Sequence, residues 1–445
     1  MKDSGIEWIG EIPEDWDVVK IKHLADHKEG LFLDGDWIES DIITSDGVRY
    51  LTTGNIGEGY FKEQGDGFIS EETLEKMNCL IVYPGDLVIS RLNKPIGRAC
   101  LLPDTHEKYV IAVDNVVLRP NPKLYNRLFL KFAMNIDGYS EEANMISRGA
   151  TMPRISRTLL GNIKLPIPPY HQQHKISNFL DKKVAEIDHI LEKTRESIEE
   201  YKKYKQSIIT EAVTKGLNPD VKMKDSGIEW IGEIPEHWRL CKITNIIDVL
   251  TDFTANGSFA DLAKNVTYLD GEGFARVVRL TDLRVNFENP GVYVSEETFN
   301  YLKKSSLFGG EILIANVGAY AGLMCEMPSV DFKATLGPNM MLIKVKENLI
   351  FPHYLFLLSM CTYFEKQLQL KAISSAQPKL NKDDVRSVRF VLPPLYEQKK
   401  ISDFIDSKVS NIDNLITQKE QLLSDLEAYK KSLIYECVTG KREVV

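Results

Sequence analysis

The peptide MKDSGIEWIGEIPE stands at Met1–Glu14 and again, identical at every position, at Met223–Glu236. A chain that carries one unit twice folds with approximate internal two-fold symmetry, which limits its architecture more than any single residue does. The repeat continues. Pro168-Pro169-Tyr170-His171-Gln172-Gln173-His174-Lys175-Ile176 aligns with Pro393-Pro394-Leu395-Tyr396-Glu397-Gln398-Lys399-Lys400-Ile401, and Tyr204–Ile209 and Glu211–Thr214 align with Tyr429–Ile434 and Glu436–Thr439. Elsewhere the halves diverge, leaving echoes such as Ser70-Glu71-Glu72-Thr73 against Ser295-Glu296-Glu297-Thr298 and Gly85-Asp86 against Gly310-Glu311. The pattern predicts two similarly folded modules with different surfaces, each followed by nearly the same helix.

At 445 residues, 43% of them hydrophobic, the chain can build roughly two to four domains with ordinary cores. Its cysteines form no CxxC pair, which argues against a zinc site or a disulfide framework and fits a reducing cytoplasm. Met1-Lys2-Asp3-Ser4 begins no signal peptide, and no run reaches the roughly 20 apolar residues of a membrane span, so a soluble, cytoplasmic protein is expected. Phosphate contact leaves a basic footprint, so a formal net charge of -9 confines any nucleic-acid site to local patches.

Each half reads as a mixed α/β (α+β) module. Short β-rich runs bounded by turn residues predict strands at Val48–Thr53, Leu80–Tyr83, Leu87–Ser90 and Val113–Leu118, and at Ala275–Leu280, Gly291–Val294, Glu311–Ala315 and Met340–Val345. Tyr125–Ile136 and Pro352–Leu370 read as helices. Two longer stretches carry a heptad seam: Leu180, Val184, Ile187, Leu191, Ile198, Tyr201, Ile208 and Ala212, then Ile405, Val409, Ile412, Ile416, Leu423, Leu426, Leu433 and Cys437. A helix cannot bury such a stripe alone, and pseudo-two-fold symmetry predicts that the two pair antiparallel, with a module toward each end. The alternative is that each helix lies back on its own module. The domain organisation expected is a first module at 1–169, a helix at 170–216, a linker at 217–222, a second module at 223–394 and a second helix at 395–445.

A variable module, a Pro-Pro step, a Gln-containing turn into a long helix, and then the whole again resembles the DNA-specificity subunit of type I restriction-modification systems. The resemblance is carried by Gly5-Ile6-Glu7-Trp8-Ile9-Gly10-Glu11-Ile12-Pro13 and its copy, by Leu165–Ile176 with Leu392–Ile401, and by the paired helical segments. It implies two target recognition domains that each read half of a split double-stranded DNA site, and an antiparallel coiled coil that sets their spacing. It also implies docking of two methyltransferase subunits, with restriction and translocase subunits joining the full complex. Independently, two readers on a stiff spacer suit a split target, and modules that differ in sequence imply half-sites that differ.

Catalytic readings are weaker. Ile167-Pro168-Pro169-Tyr170 is similar to the Asn/Asp-Pro-Pro-Tyr motif of adenine methyltransferases, but Ile replaces the hydrogen-bonding residue and no glycine-rich cofactor loop accompanies it; a rigid elbow explains it better. There is no GxxxxGK[ST] loop for ATP, and Pro103-Asp104 with Glu107-Lys108 lacks the spacing of a nuclease. His171 and His174 could share a metal, yet the second copy has Tyr396 and Lys399 there. Trp8, Trp16, Trp230 and Trp238 could stack bases, but identical peptides in modules that read different sequences point instead to a hydrophobic clasp on the module. No enzyme activity, cofactor or metal is therefore expected in this chain, the methyl donor being left to the partner methyltransferases.

The DNA contacts expected lie in two pairs of equivalent loops. Arg148-Gly149-Ala150-Thr151-Met152-Pro153-Arg154-Ile155-Ser156-Arg157 is matched by Ser374-Ser375-Ala376-Gln377-Pro378-Lys379, with Pro153 opposite Pro378. Arg91-Leu92-Asn93-Lys94 through Arg98 is matched by Asn316 through Tyr320. Arg and Lys pair with guanine O6 and N7, Asn and Gln with adenine N6 and N7, and hydroxyls with base or phosphate. A coiled-coil adaptor with ligand- or protein-binding modules is the alternative from another class, and a catalytic methyltransferase the third.

Overall fold

Leu87–Ser90, set off by the Pro84-Gly85-Asp86 turn, is a strand whose four residues are all buried. Successive side chains leave a strand on opposite faces, so such a run has to be covered on both sides. In this computed structural model, which describes residues 1–25, 31–372 and 377–444, Leu87 and Ile89 enter one apolar core while Val88 enters another. The chain divides into two units, the first made of Met1–Arg195 with Gln421–Val445 and the second of Glu196–Glu420.

In the first unit an antiparallel sheet runs in the order Leu31–Asp34, Asn115–Arg119, Leu87–Ser90, Ala99–Leu101. A second sheet runs Phe68–Ile69, Val48–Leu51, Tyr109–Ile111, Ile81–Val82, its central pair parallel. Val88, Cys100 and Val117 of the first sheet pack with Leu51, Tyr109 and Ile111 of the second. The other face of the first sheet meets helix Arg127–Ala133 and the long helices through Phe129, Leu130, Leu180 and Leu433.

The second unit repeats this topology although its sequence does not. Ile247–Asp252, Met340–Val345, Ile312–Ala315 and Met324–Glu326 form the antiparallel sheet. Tyr268–Asp270, Val292–Val294, Ala275–Val278, Ala334–Leu336 and Ser306–Leu307 form the other, again around one parallel pair. The echoes between the divergent halves mark turns and caps. Ser70 and Ser295 each accept the amide of the residue three on, Thr73 and Thr298, at 3.2 Å. Asp86 and Glu311 each accept the amide three residues back, from Tyr83 and Phe308.

Several elements are shorter than their sequence pattern. The strand from Val48 stops at Leu51 because Thr52 caps the turn Thr53–Asn55. The helix expected over Pro352–Leu370 is two, Pro352–Ser359 and Thr362–Ala372, broken where buried Cys361 turns toward Thr210.

The long helices are Tyr170–Lys215 and Leu395–Val438. Each begins at a Pro-Pro elbow whose second carbonyl, Pro169 or Pro394, accepts the first helical amides. A buried glutamine then fastens each helix to its module. Gln173 accepts from Asn126 N and donates to the Pro168 and Leu124 carbonyls; Gln398 accepts from Phe351 N and donates to those of Pro393 and Leu349. Within each unit the helical segments run antiparallel. In the first, Asp188 pairs with Lys430 and Arg195 with Glu427. In the second, Lys419 lies over the Tyr201 ring and Lys205 pairs with Asp413. Helix–helix and helix–module packing coexist within a unit, so the two arrangements weighed from sequence are not exclusive.

The repeated tryptophans behave unequally. Trp16 and Trp238 are buried and donate to Gln172 and Glu397. Trp8 is half-buried over Gly138 and donates to Glu142, but Trp230 is 62% exposed, which corrects its assignment to the clasp. Where the first module has Gly138 the second has the buried ring of Tyr363, so the space that receives Trp8 is not left open for Trp230.

In the second unit His353 sits between Glu326, 2.6 Å from Nδ1, and Asp406, 3.0 Å from Nε2. The hydrogen bond to Glu326 is the largest influence, outweighing desolvation with help from Asp406, and the imidazole pKa is pushed up to about 9. A folded pKa above the unfolded value of about 6.5 stabilises fully below that value, and the contribution is lost as pH rises through about 9. His353→Gln should therefore melt below wild type at about pH 6, with the gap closing toward about pH 10. A gap that widened with pH would contradict the assignment.

Candidate nucleic-acid interface

The two loops expected at the first module's surface are held together by main-chain pairing. Asn93 N donates to Pro153 O at 3.0 Å and Ile155 N to Arg91 O at 3.0 Å. Arg148 and Arg154 exchange amide–carbonyl bonds of 2.9 and 2.8 Å, closing a tight hairpin in which Gly149, at φ +102°, turns where a Cβ would meet the Met152 carbonyl. The second module has the same register: Gly318 N donates to Pro378 O at 2.9 Å and Leu380 N to Asn316 O at 2.9 Å. Opposed pairs therefore correspond in full, Arg91 to Asn316, Pro153 to Pro378 and Arg157 to Lys382, while side chains differ.

The arginines divide into surface and scaffold. Arg148, Asn93, Lys94 and Thr151 are exposed, Arg154 is 46% exposed beside Asp114 at 2.6 Å, and Arg157 faces Asp34 at 3.5 Å. Arg91 is buried between Asp34, at 3.0 Å, and the Ile155 and Val113 carbonyls. Burial lowers its pKa and the Asp34 carboxylate opposes that. Arg98, 8% exposed, donates to the carbonyls of Thr53, Ile56, Leu92, Asn93 and Pro95. Its guanidinium stitches the 91–98 loop to the turn after strand Val48–Leu51 and is turned inward, not outward.

In the second module Gln377, Lys379 and Tyr320 are exposed and Asn316 is half-buried; Ser374 and Ser375 lie outside the described residues. Lys382 pairs with Asp252 at 3.0 Å, in the place of the Arg157–Asp34 pair. Among the described residues no group of three or more His, Cys, Asp or Glu could hold a metal, and His174 instead faces Asn126.

The family model described as "Type I restriction modification DNA specificity domain" matches the chain twice, over residues 13–200 and 235–425. The chain belongs to the type I restriction-modification DNA specificity family. It is 24% identical over 441 residues, 97% of this chain and 94% of the relative, to the type I restriction enzyme MjaVIII specificity subunit of Methanocaldococcus jannaschii. To the EcoBI specificity subunit of Escherichia coli it is 22% identical, over 81% of this chain and 74% of that one. Its fold is shared with the HsdS subunit from Thermoanaerobacter tengcongensis, at TM-score 0.58 and 15% identity over 97% of this chain and 98% of that one. It is also shared with a chain from a study of assembly and conformational transition of the type I R-M system, at TM-score 0.72 and 14% identity over 97% and 100%. The protein is a specificity subunit of a type I restriction-modification system, and none of its described helices is long and apolar enough to cross a membrane.

Sequence reasoning missed what positions the specificity subunit's loops. Arg49 and Arg276 occupy the same place on the central parallel strands, both buried. Arg49 donates to the carbonyls of Gln64, Gly65 and Gly67, and Arg276 to those of Phe287 and Asn289. Six residues on, Asn55 and Asp282 are buried and accept the amides of Thr52 and Arg279. An arginine inside an apolar run, followed at that spacing by Asn or Asp, was the available signal. Asp34 and Asp252 left none, since no flanking sequence repeats around them.

Proposed function

We propose that this specificity subunit is noncatalytic and directs methyltransferase subunits to an asymmetric, bipartite duplex DNA site, in the cytoplasm. The modules at 1–169 and 223–394 act as target recognition domains, the helices at 170–216 and 395–445 as spacer and docking surface, and 217–222 as linker. The observation that carries the reading is one loop scaffold presented twice with different side chains, Arg148 and Arg154 in one module against Gln377 and Lys379 in the other. A shared scaffold suits a shared duplex geometry, and changed tips suit changed bases. Among the candidates, Arg148, Thr151, Arg154, Arg157, Asn93 and Lys94 face DNA from the first module, and Asn316, Tyr320, Gln377 and Lys379 from the second, with Ser374 and Ser375 the further candidates outside the described residues. Arg91 and Arg98 shape the loops from within.

The net charge of -9 favours the adaptor reading to the extent that duplex binding needs positive surface, and joint grip with the methyltransferases answers it. Binding of duplex by the subunit with its methyltransferase partner, measured across salt, separates the two. Six to ten phosphate contacts would cost about 10³–10⁵ in affinity between 50 and 200 mM salt. Arg148→Ala is expected to weaken the cognate site by about 1–3 kcal/mol and relax one position. Salt-insensitive, sequence-indifferent association would favour the adaptor.

A further inference from the structure

The second module carries an arginine that neither the repeat nor the candidate loops announce. Helix Leu280–Arg284 follows the central strand Ala275–Val278, and its buried Asp282 binds Arg276, Arg279 and Asn289. Two of the three arginines there are thus engaged by one carboxylate. Arg284, at the helix end, is exposed, and no ion pair or side-chain hydrogen bond engages it among the described residues. Its guanidinium instead lies over the Tyr320 ring, 4.5 Å from the centroid, and Tyr320 is itself 49% exposed.

Tyr320 sits in the hairpin between Ile312–Ala315 and Met324–Glu326, closed by Ala321 N to Gly318 O at 2.9 Å and Gly322 N to Ala315 O at 2.8 Å. Gly318 is in turn paired to Pro378, beside Gln377 and Lys379. A guanidinium stacked on a ring keeps its N–H donors in its own plane, at the edge, oriented and free for a planar acceptor pair. Guanine O6 and N7 in the major groove form such a pair.

We infer that Arg284, oriented by Tyr320, reads a guanine in the half-site of the second module. The inference rests on the modules being DNA readers and adds to that reading one residue and one base. The first module has no counterpart of the stack, because Pro95 stands at the position of Tyr320.

The test uses the full subunit with its methyltransferase partner and duplexes varied singly at each position of the methylated site. Arg284→Ala should weaken the cognate duplex about ten- to a hundred-fold and erase preference at one G·C pair of the second half-site, and Arg284→Lys, which keeps the charge without the planar fork, should lose part of both. Non-cognate affinity and melting temperature should stay unchanged. Tyr320→Phe, which keeps the ring, should keep the preference at that G·C pair, and Tyr320→Leu, which removes the ring, should lose part of it. If Arg284→Lys binds as wild type while Arg284→Ala weakens every duplex alike and flattens the salt slope, the contact is to phosphate and the inference is wrong. Unchanged specificity in both arginine variants would also overturn it while leaving the subunit's role intact. A wild-type complex with no sequence preference would overturn that role and the inference with it.

Discussion

Exchange of the segment between strands Asp17–Lys20 and Lys164–Ile167 for its counterpart from another specificity subunit is expected to replace one half of the recognised DNA sequence and leave the other unchanged. These strands pair along their whole length, Lys164 with Lys20 through Ile167 with Asp17, and close the base of the module. Arg239–Lys242 and Arg389–Leu392 do the same in the second. The cut spares the Pro-Pro elbow and Gln173, so for the helix to seat the incoming segment has to supply an amide in place of Asn126 N, a carbonyl in place of Leu124 O and an apolar face in place of Phe129 and Leu130. The first half-sequence should change completely. Change in both halves, or in neither, read from the methylated sites of cells carrying the chimera, would contradict modular reading.

Arg98→Ala should be among the most damaging single substitutions in the first unit. It removes one donor from each of the carbonyls of Thr53 and Ile56 on one side and Leu92, Asn93 and Pro95 on the other, leaving Thr53 O with Ile56 N and Leu92 O with the Ser90 hydroxyl. Hydrogen bonds to a charged group are worth about 1.5–3 kcal/mol each, and a buried carbonyl left without a donor costs about 1–3 kcal/mol. Water entering the gap will satisfy some, so a net loss of about 3–5 kcal/mol is expected, equivalent to a melting temperature lower by about 6–20 °C for a unit of this size. Because the 91–98 loop is tied to Pro153 and Ile155, discrimination at the first half-site should decline with it, and at the second should not. Wild-type melting and an intact first half-site in Arg98→Ala would show that the guanidinium is dispensable.

The long helices and elbows were legible because their chemistry is local and repeated: a heptad seam, a Pro-Pro step and a glutamine in the same place twice. Leu87–Ser90 was legible for a similar reason, since a turn bounds it and its apolar run admits one reading. The matching of the two sheets was not. Val, Ile, Leu and Met interchange freely in strands covered on both faces, so topology persisted while sequence did not. Arg91 and Arg98 read as surface residues because the carbonyls that hold them inside come largely from segments distant in sequence, with Arg98 reaching 42 and 45 residues back to Ile56 and Thr53. Arg284 escaped notice for a related reason. Its immediate sequence neighbours, Leu283 and Val285, carry no polar signal, and only the fold brings Tyr320 beneath it.

The most direct test is a map of methylated bases in DNA from cells that express this subunit with its methyltransferase partner, compared with cells lacking it. The account predicts one new motif made of two different half-sequences at a fixed separation, methylated within each half. A continuous or palindromic motif, or no motif that depends on the subunit, would contradict it.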